Sequence, residues 1–392
     1  MKNNSLPTFY EFFAGGGMAR AGLGRHWRCM FANDFDQMKA AAYTANWSDA
    51  DFRLGDVASV KIADLQGKAD LAWASFPCQD LSLAGDRRGL GSGETLSQTR
   101  SGAFWPFWSL MRGLVREGRG PRTIVLENVL GALTSHEGTD FETLCAALVS
   151  SGYQVGAMVI DAKLFVPQSR QRLFIVAVES DRTIPEMLLS ACPVAAWHPI
   201  QMVDAVRKMP QYVRDHWIWW NPAIPPKTNM VFADIVEDDP SGVGWHSPEQ
   251  TRRLLEMMSP LNQLKVEKAK RQNRPMIGCV YRRMRPDSNG IRQQRAEIRF
   301  DDVAGCLRTP GGGSSRQTIV IVSGNEMRSR LLSPREAARL MGLDDNYLLP
   351  PRYNDAYHLA GDGVCVPVVR HLAANLIEPL LDQPEQTMIA AQ

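Results

Sequence analysis

The sequence predicts an α/β fold in which a mostly parallel sheet is covered by helices, together with a smaller and less regular domain. Over residues 1 to about 180, apolar strand-like runs alternate with helical segments. From about residue 182 to 325 this alternation fades, and Pro, Trp, Asn and Arg become frequent. Strands that are apolar throughout and joined by helices are typical of parallel sheets buried on both faces.

The predicted elements of the first region follow one another in βα order. Strands are predicted at TFYEFF, WRCMFAND, DLAWASF, RTIVLENV, YQVGAMVID and RQRLFIVAV, with a short element before LGD. Helices are predicted at GMARAGLGRH, FDQMKAAAYTAN, FWPFWSLMRGLVREG and TDFETLCAALVSSG. Regular structure returns at RLLSPREAARLMGL, where Ser333 caps a helix, Pro334 takes its first position and Glu336 completes a capping box. VCVPVVRHLAANLIEPLL predicts a closing helix.

Composition narrows the class of protein. Of the 392 residues, 44% are hydrophobic and 22% are charged, as in ordinary soluble proteins. We see no apolar run near the roughly 20 residues of a membrane span, and no signal-peptide pattern at the N-terminus. The seven cysteines are scattered without a C-x-x-C pair, which argues against a disulfide framework and a zinc site. We therefore expect a cytoplasmic protein without a bound metal.

Charge is concentrated in one part of the chain. Between Lys265 and Arg299 there are eleven Lys or Arg and three acidic residues, although the net charge of the whole chain is +2. Such a block predicts a polyanion-binding patch, and a solvated helix face is the alternative. Five of the ten tryptophans lie between Trp197 and Trp245, and we interpret them as the core of the smaller domain.

A glycine-rich turn predicts a cofactor site. FFAGGGMARAGL places glycines between a strand and a helix, where backbone amides can approach a ligand. Asp34 ends the next strand and can accept hydrogen bonds from a ribose diol, and Asp56 follows the third element. Together they indicate a nucleoside-bearing cofactor. A nicotinamide oxidoreductase is disfavoured because G-x-G-x-x-G is absent.

Three further motifs fall where predicted strands end. They are Pro77-Cys78-Gln79, Glu127-Asn128 and PQSRQRLF, the last containing Gln168, Arg170 and Arg172. Each has an ordinary structural explanation when taken alone. Ligands of open α/β sheets gather at the carboxyl ends of strands, so we expect these residues to converge near the cofactor. Arginines at i and i+2 of an extended chain point the same way.

Taken in order, these motifs resemble those of the DNA (cytosine-5)-methyltransferase family. The matching segments are FYEFFAGGG, ANDFD, GDV, FPCQDLS, LENV, PQSRQRLF, RLLSPREAARLMG and GDGVCVPVV. The resemblance implies a Rossmann-like, S-adenosylmethionine-dependent methyltransferase sheet with an irregular target-recognition domain. It predicts a catalytic domain at 1–184, a target-recognition domain at 185–327 and a C-terminal segment at 328–392, whose hinge helix leads back to the catalytic domain.

The resemblance also implies roles for individual residues. Cys78 would attack carbon 6 of cytosine, Glu127 would hold ring nitrogen 3 and the exocyclic amine, and Arg172 would bind the base carbonyl. Arg170 would orient Glu127 or a phosphate. Pro77 and Gln79 complete the catalytic set. The glycine-rich stretch at about 79–103 would close over a base extruded from the duplex.

The remaining expected sites fall into two groups. The cofactor group, in which Glu11 faces the methionine end and Phe35 stacks on adenine, consists of Glu11, Phe13, Ala14, Gly15, Gly17, Asp34, Phe35, Asp56, Val57, Pro77, Asp362 and Val364. The DNA-binding group consists of Ser82, Arg87, Arg88, Gln168, Arg282, Arg283, Arg285, Arg292, Gln293, Gln294, Arg295 and Arg308.

The expected partner is double-stranded DNA, and the chain is expected to be a monomer with no membrane partner. The enzyme is expected to be either a restriction-modification methylase, whose cognate restriction endonuclease acts separately, or an orphan bacterial methylase. Two alternatives stay open at this point. A tRNA cytosine-5 methyltransferase would carry a similar set of motifs. A DNA-binding relative without activity would share the fold, although the presence of Cys78, Glu127 and Arg172 argues against it.

Overall fold

The computed structural model describes residues 6–77, 103–287, 290–309 and 316–382, and these divide into two compact units. Unit 1 contains the described part of residues 1–161, 171–225 and 368–392. Unit 2 contains the described part of residues 162–170 and 226–367. The predicted domain boundaries at 184/185 and 327/328 fall at other positions and stay a prediction.

Unit 1 is built on a mostly parallel sheet, which confirms the predicted fold class. Its strands are β1 (Thr8–Phe12), β2 (Arg28–Asp34), β3 (Phe52–Leu54), β4 (Leu71–Ala74), β5 (Thr123–Val129), β6 (Tyr153–Asp161) and β7 (Gln171–Glu179). The order across the sheet is β3-β2-β1-β4-β5-β7-β6. Strands β1 to β5 run parallel to one another, and β7 is inserted antiparallel between β5 and β6.

Helices and short strands complete this part of the chain. The helices are α1 (Met18–Leu23), α2 (Gln37–Asn46), α3 (Phe104–Arg116), α4 (Thr139–Val149), α5 (Ile200–Lys208) and α6 (Gln211–Arg214), and the short strands are β8 (Leu189–Ser190) and β9 (Trp219–Trp220). Tyr10 and Phe12 of β1 pack in one cluster with Phe107 of α3, while Phe9 and Trp73 are also fully buried. Both faces of the sheet are therefore apolar, as the continuous hydrophobic runs predicted.

The tryptophan prediction was wrong about location. Trp197 and Trp220 are fully buried in unit 1, and Trp217 and Trp219 pack against its core. Trp245 lies in unit 2, where the Arg328 guanidinium sits 4.4 Å from the centre of its ring. Four of the five tryptophans therefore stabilise the unit that contains the parallel sheet, because the chain returns to that unit as far as residue 225.

Unit 2 contains an antiparallel sheet with helices beside it. Its elements are α7 (Pro248–Glu256), α8 (Pro260–Lys270), β10 (Met276–Pro286), β11 (Arg292–Arg299), β12 (Thr318–Ser323), β13 (Glu326–Leu331), α9 (Pro334–Leu340) and α10 (Tyr353–Asp362). The strand order is β11-β10-β12-β13. Leu254 of α7 and Val266 of α8 pack on Val280, Ile298 and Val320 of the sheet, which forms a second core.

The start of α9 confirms the predicted capping box. Ser333 Oγ accepts from the Glu336 N–H at 3.1 Å, and Glu336 Oε2 accepts from the Ser333 N–H at 2.7 Å. The structure adds a partner that the sequence did not indicate. Arg330, fully buried, donates to Glu336 Oε1 and Oε2 at 2.6 and 2.8 Å and to the Glu237 carbonyl at 2.8 Å. The cap is thus joined to a buried ion pair.

The chain continues through α11 (Val366–Leu372), a π-helical turn at Ala373–Ile377 and α12 (Glu378–Leu381), which agrees with the predicted closing helix. By length and composition alone, Tyr353–Leu381 passes as apolar enough to cross a membrane. However, 56% of the 18-residue apolar stretch within this segment is buried inside the protein, and residues 363–365 interrupt the helix. This pattern is typical of core helices and is weak evidence for a membrane span.

Candidate active site

The parallel strands of unit 1 bring four of the predicted motifs to one edge. β2, β1, β4 and β5 are consecutive in the sheet and run in the same direction. Asp34 is the last residue of β2, the glycine turn follows β1, Pro77 follows β4, and Glu127 lies near the end of β5. The carboxyl ends of neighbouring parallel strands form the usual ligand crevice of such sheets.

The turn after β1 has the backbone conformation of a ligand-binding loop. Phe13, Gly15 and Gly17 all have positive φ, at 56°, 56° and 76°. At Gly17 a Cβ atom would lie 2.3 Å from the indole nitrogen of Trp47, so glycine is required there for space as well as conformation. The indole in turn donates to the Gly16 carbonyl at 3.1 Å, which holds the turn against α2.

Asp34 connects this turn to the next strand. Its Oδ2 accepts from the Gly15 N–H at 2.8 Å and its Oδ1 from the Asp36 N–H at 2.9 Å. Burial raises the pKa of this carboxyl, and the two backbone donors oppose that rise. Each carboxylate oxygen retains a further lone pair, so Asp34 can both order the turn and accept from a ligand hydroxyl.

Glu11 is the most enclosed acid of the site. Its Oε1 accepts from the Arg20 N–H at 3.3 Å, and its Oε2 is buried without a hydrogen-bond partner among the described residues. Burial raises the pKa of Glu11 to about 8. The Arg20 side chain donates to the Tyr43 hydroxyl at 2.9 Å. A buried carboxyl oxygen without a partner is suited to a ligand that brings its own donor.

The other residues of the expected cofactor group in unit 1 differ in exposure. Phe35 is 67% exposed, which is unusual for a phenylalanine and leaves a ring face available for stacking. Asp56 is exposed and accepts from the Ala58 N–H at 2.8 Å, at the start of a 3-10 turn over Val57–Ser59. Ala14 and Val57 are buried beside them.

Glu127 and Arg172 form an ion pair on one face of β5 and β7. Arg172 lies opposite Val129, and Glu127 is two residues away, so the two side chains share a face of the sheet. The Arg172 Nε lies 3.2 Å from Glu127 Oε1, and both side chains are largely buried. The structure therefore brings together the acid and the arginine that the sequence assigned to the base. Cys78, Gln79, Ser82, Arg87 and Arg88 lie outside the described residues.

Gln168 was wrongly predicted to contact DNA, and Arg170 has buried partners that the sequence did not indicate. Gln168 is fully buried: its Nε2 donates to the Leu340 carbonyl at 2.7 Å, and its Oε1 accepts from the Leu307 N–H at 3.0 Å. This side chain is therefore not presented to DNA. Arg170 is also buried, and it donates to the carbonyls of Leu307, Gly361 and Gly363 at 2.8 to 3.1 Å. These bonds hold the backbone of unit 2, and the expected role of Arg170 in orienting Glu127 or a phosphate stays a prediction.

The last predicted cofactor residues lie in unit 2. Asp362 accepts from the Thr309 hydroxyl, and His358 Nε2 lies 3.1 Å from its other oxygen. Val364 is buried just after the helix that Asp362 ends. The assignment of Asp362 and Val364 to the cofactor stays a prediction. Arg308, from the DNA-binding group, is exposed.

The basic residues predicted to bind DNA lie mainly on β10 and β11. The hairpin carries Arg282, Arg283, Arg285, Arg292, Gln293, Gln294 and Arg295. Sequence reasoning missed Glu297, which lies among them and contacts Arg285 at 2.6 Å. The strand register, which was not predicted, is the signal that would have identified it. No cluster of three or more potential metal ligands occurs among the residues that the structure describes.

Comparison with known proteins identifies the family. The family model for C-5 cytosine-specific DNA methylase matches residues 7–378. The chain is 25% identical over 379 residues to the Type II methyltransferase M.BsuFI of Bacillus subtilis, covering 95% of this chain and 73% of that protein. It is 24% identical over 391 residues to M.HpaII of Haemophilus parainfluenzae, covering 95% and 90%.

Solved structures agree on the fold. The Dnmt2 methyltransferase of S. pombe superposes with a TM-score of 0.58 at 15% identity, covering 95% of this chain and 99% of that one. A putative DNA modification methyltransferase from an E. coli prophage gives 0.54 at 14% identity, covering 96% and 99%. Family match, curated relatives and fold agree with the geometry of the sheet edge, and the chain belongs to the C-5 cytosine-specific DNA methylases and is a DNA (cytosine-5)-methyltransferase.

Proposed function

We propose that this enzyme methylates carbon 5 of one specific cytosine in double-stranded DNA, after extruding that base from the helix and attacking its carbon 6 with Cys78. The observation that carries the proposal is the Glu127–Arg172 pair, 3.2 Å apart at the end of β5. The neighbouring strand β4 leads directly to Pro77 and Cys78 in the sequence. A base held by the pair would meet groups from two adjacent strands.

Each of these residues has a chemical task in the proposal. Carbon 5 of cytosine is a weak nucleophile, and addition of the Cys78 sulfur to carbon 6 makes it electron-rich. Glu127 shares a proton with ring nitrogen 3 as electrons enter the ring, and Arg172 binds the base carbonyl while holding Glu127 in place. After transfer, loss of the carbon 5 proton lets the electrons return and release the sulfur.

The cofactor of the proposal is S-adenosylmethionine, which supplies the methyl group when bound. The residues of unit 1 fit it: the buried Glu11 oxygen without a partner among the described residues accepts from the ammonium, and Asp34 accepts from the ribose. Exposed Phe35 stacks on adenine, and Asp56 accepts from its amine. The family and its fold support this cofactor.

The proposal extends to the cellular setting. The enzyme acts as a monomer in the bacterial cytoplasm, as a modification methylase whose cognate restriction endonuclease works separately. The curated relatives named Type II methyltransferases support this setting.

The test is methyl incorporation into duplex DNA and tRNA by the wild type and by Cys78→Ser. We expect the wild type to methylate duplex DNA and to form a covalent adduct with DNA containing 5-fluorocytosine. In that base fluorine replaces the carbon 5 proton and cannot leave as the proton does, so the sulfur is not released. Cys78→Ser should bind DNA and cofactor without forming the adduct. Preferred methylation of tRNA, or an adduct in the variant, would contradict the proposal. Bisulfite sequencing then reports the target sequence.

A further inference from the structure

The hairpin of β10 and β11 extends beyond the four-stranded sheet as a two-stranded ribbon. β12 pairs with β10 from Met276 to Val280, whereas β11 continues to pair with β10 as far as Pro286 opposite Arg292. Apart from one bridge between Ala296 and Met258, the described residues of 281–286 and 292–297 pair with each other alone. The major groove of B-DNA admits a two-stranded β-ribbon of this kind.

The register divides the side chains of the ribbon between two faces. Residues directly opposite each other share a face, and successive residues alternate. The arginine face carries Tyr281, Arg283, Arg285, Gln293, Arg295 and Glu297. The mixed face carries Arg282, Met284, Pro286, Arg292, Gln294 and Ala296. Basic residues that are close in sequence are thus placed on opposite sides of the ribbon.

The arginine face carries excess positive charge. Arg283 lies directly opposite Arg295, and like charges in that position destabilise a strand pair. The face carries three arginines and one carboxylate, that of Glu297. The side chains of Arg283 and Arg285 are 46% and 48% exposed. A polyanion placed against this face would offset the repulsion.

Glu297 fixes the arginines in defined positions. Its Oε1 accepts from Arg285 Nε at 2.6 Å, and its Oε2 lies 3.9 Å from Arg283 Nε. The Arg283 guanidinium also lies 4.6 Å from the centre of the Tyr281 ring. Arg285 donates to the carboxylate through Nε, and its two terminal nitrogens have no partner among the described residues. Those two nitrogens are the ones that contact guanine O6 and N7 bidentately.

We propose that the arginine face of this ribbon reads guanine bases in the major groove, with Arg283 and Arg285 as specificity determinants and Glu297 as the positioning residue that presents them. The inference rests on the DNA substrate of the proposed function. It predicts G·C pairs at the positions of the recognition sequence that the ribbon contacts. A guanidinium already held by a carboxylate loses less side-chain freedom on binding, which favours specific over random contacts.

The test compares charge-preserving variants of the full-length enzyme. Arg285→Lys and Arg283→Lys keep the charge but lose the bidentate fork, and Glu297→Gln keeps the size but loses the anchor. Arg253→Lys, at an exposed arginine of α7 that likewise contacts a glutamate, Glu249, at 2.6 Å, is the matched control. The readout is kcat/KM on a cognate duplex divided by kcat/KM on duplexes in which one G·C pair of the recognition sequence is replaced by A·T.

We expect Arg285→Lys to lower this ratio by about 10- to 100-fold at one position. Glu297→Gln should lower it less, at the same position, and Arg253→Lys should leave it unchanged. Unchanged ratios in all three arginine-face variants, or a change in Arg253→Lys alone, would overturn the proposal. If Arg285→Lys fails to fold, the ratio measured for Arg283→Lys tests the proposal instead. Arg283 lies 3.9 Å from Glu297, so its replacement disturbs the ribbon less. Failure of the proposed function would instead abolish methylation of every duplex by the wild type.

Discussion

The two units differ in the buried charged side chains that form their most important contacts. Unit 1 buries carboxylates at the edge of its sheet: Glu11 has an oxygen without a partner among the described residues, and Glu127 meets Arg172. Unit 2 buries arginines, with Arg170 bound to backbone carbonyls and Arg330 bound to Glu336. The first arrangement leaves acceptors for a ligand that brings donors. The second uses strong donors to hold the backbone, and it leaves other arginines exposed for an anionic partner.

The largest expected effect separates Arg172 from Arg170, two residues apart in sequence. Arg172→Ala should lower kcat by about 100- to 1,000-fold because a donor to the reacting base is lost. Its melting temperature should fall less than that of Arg170→Ala, because the Arg172 side chain is 16% exposed and Arg170 is 2% exposed. The measurements are steady-state methylation and thermal unfolding of the same preparations.

Arg170→Ala is the comparison variant. It leaves three buried carbonyls without their donor, so the free energy of unfolding should fall by about 3 kcal/mol or more. If Arg172→Ala kept full kcat, or Arg170→Ala kept its melting temperature, the distinction between a site arginine and a framework arginine would be incorrect.

The next effect concerns the buried pair of unit 2. Glu336→Ala leaves Arg330 buried and without its carboxylate, and we expect a loss of about 3–5 kcal/mol in the free energy of unfolding. Asp345→Ala removes a 59% exposed partner of Arg339 and should cost under about 1 kcal/mol. Chemical denaturation midpoints measure both, and equal losses would show that burial does not set the strength of this pair.

The last effect is a pH dependence that belongs to unit 1. Burial raises the pKa of Glu11 to about 8, so the folded protein holds a proton that the unfolded chain releases above its ordinary value of 4.5. The resulting stabilisation is complete below pH 4.5 and is lost as the pH rises towards 8.

Without cofactor, the melting temperature of the wild type should therefore fall relative to that of Glu11→Gln between pH 5 and pH 8. Melting curves of both proteins at several pH values give this difference directly. Parallel curves for the two proteins would mean that Glu11 does not titrate in this range.

Much of unit 1 was predictable because its signals are local. The apolar runs of β1, β2, β4 and β5 fix a buried parallel sheet, and residues at the ends of such strands meet at one edge. Glu127 and Arg172 were assigned correctly to one place for this reason. In unit 2, the Ser333–Glu336 capping box was also predictable from the sequence, because both of its partners lie within one turn.

The sequence was least informative where the partner of a side chain is distant in the chain. Gln168 and Arg170 look like exposed polar residues, but their acceptors lie at Leu340, Leu307 and Gly363. The sequence around Gln168 and Arg170 does not indicate that these distant backbone carbonyls accept hydrogen bonds from them. The faces of the β10–β11 ribbon depend on its register, and a change of register by one residue would exchange them.

The division of the chain has a consequence for engineering. Unit 2 includes 162–170 as well as 226–367, and the short piece supplies Gln168 and Arg170 to its interior. A hybrid enzyme that received residues 226–367 from a relative, but kept its own 162–170, would combine donors from one protein with acceptors from the other. Transplanting sequence preference between relatives therefore requires two exchanged segments, one of them only nine residues long.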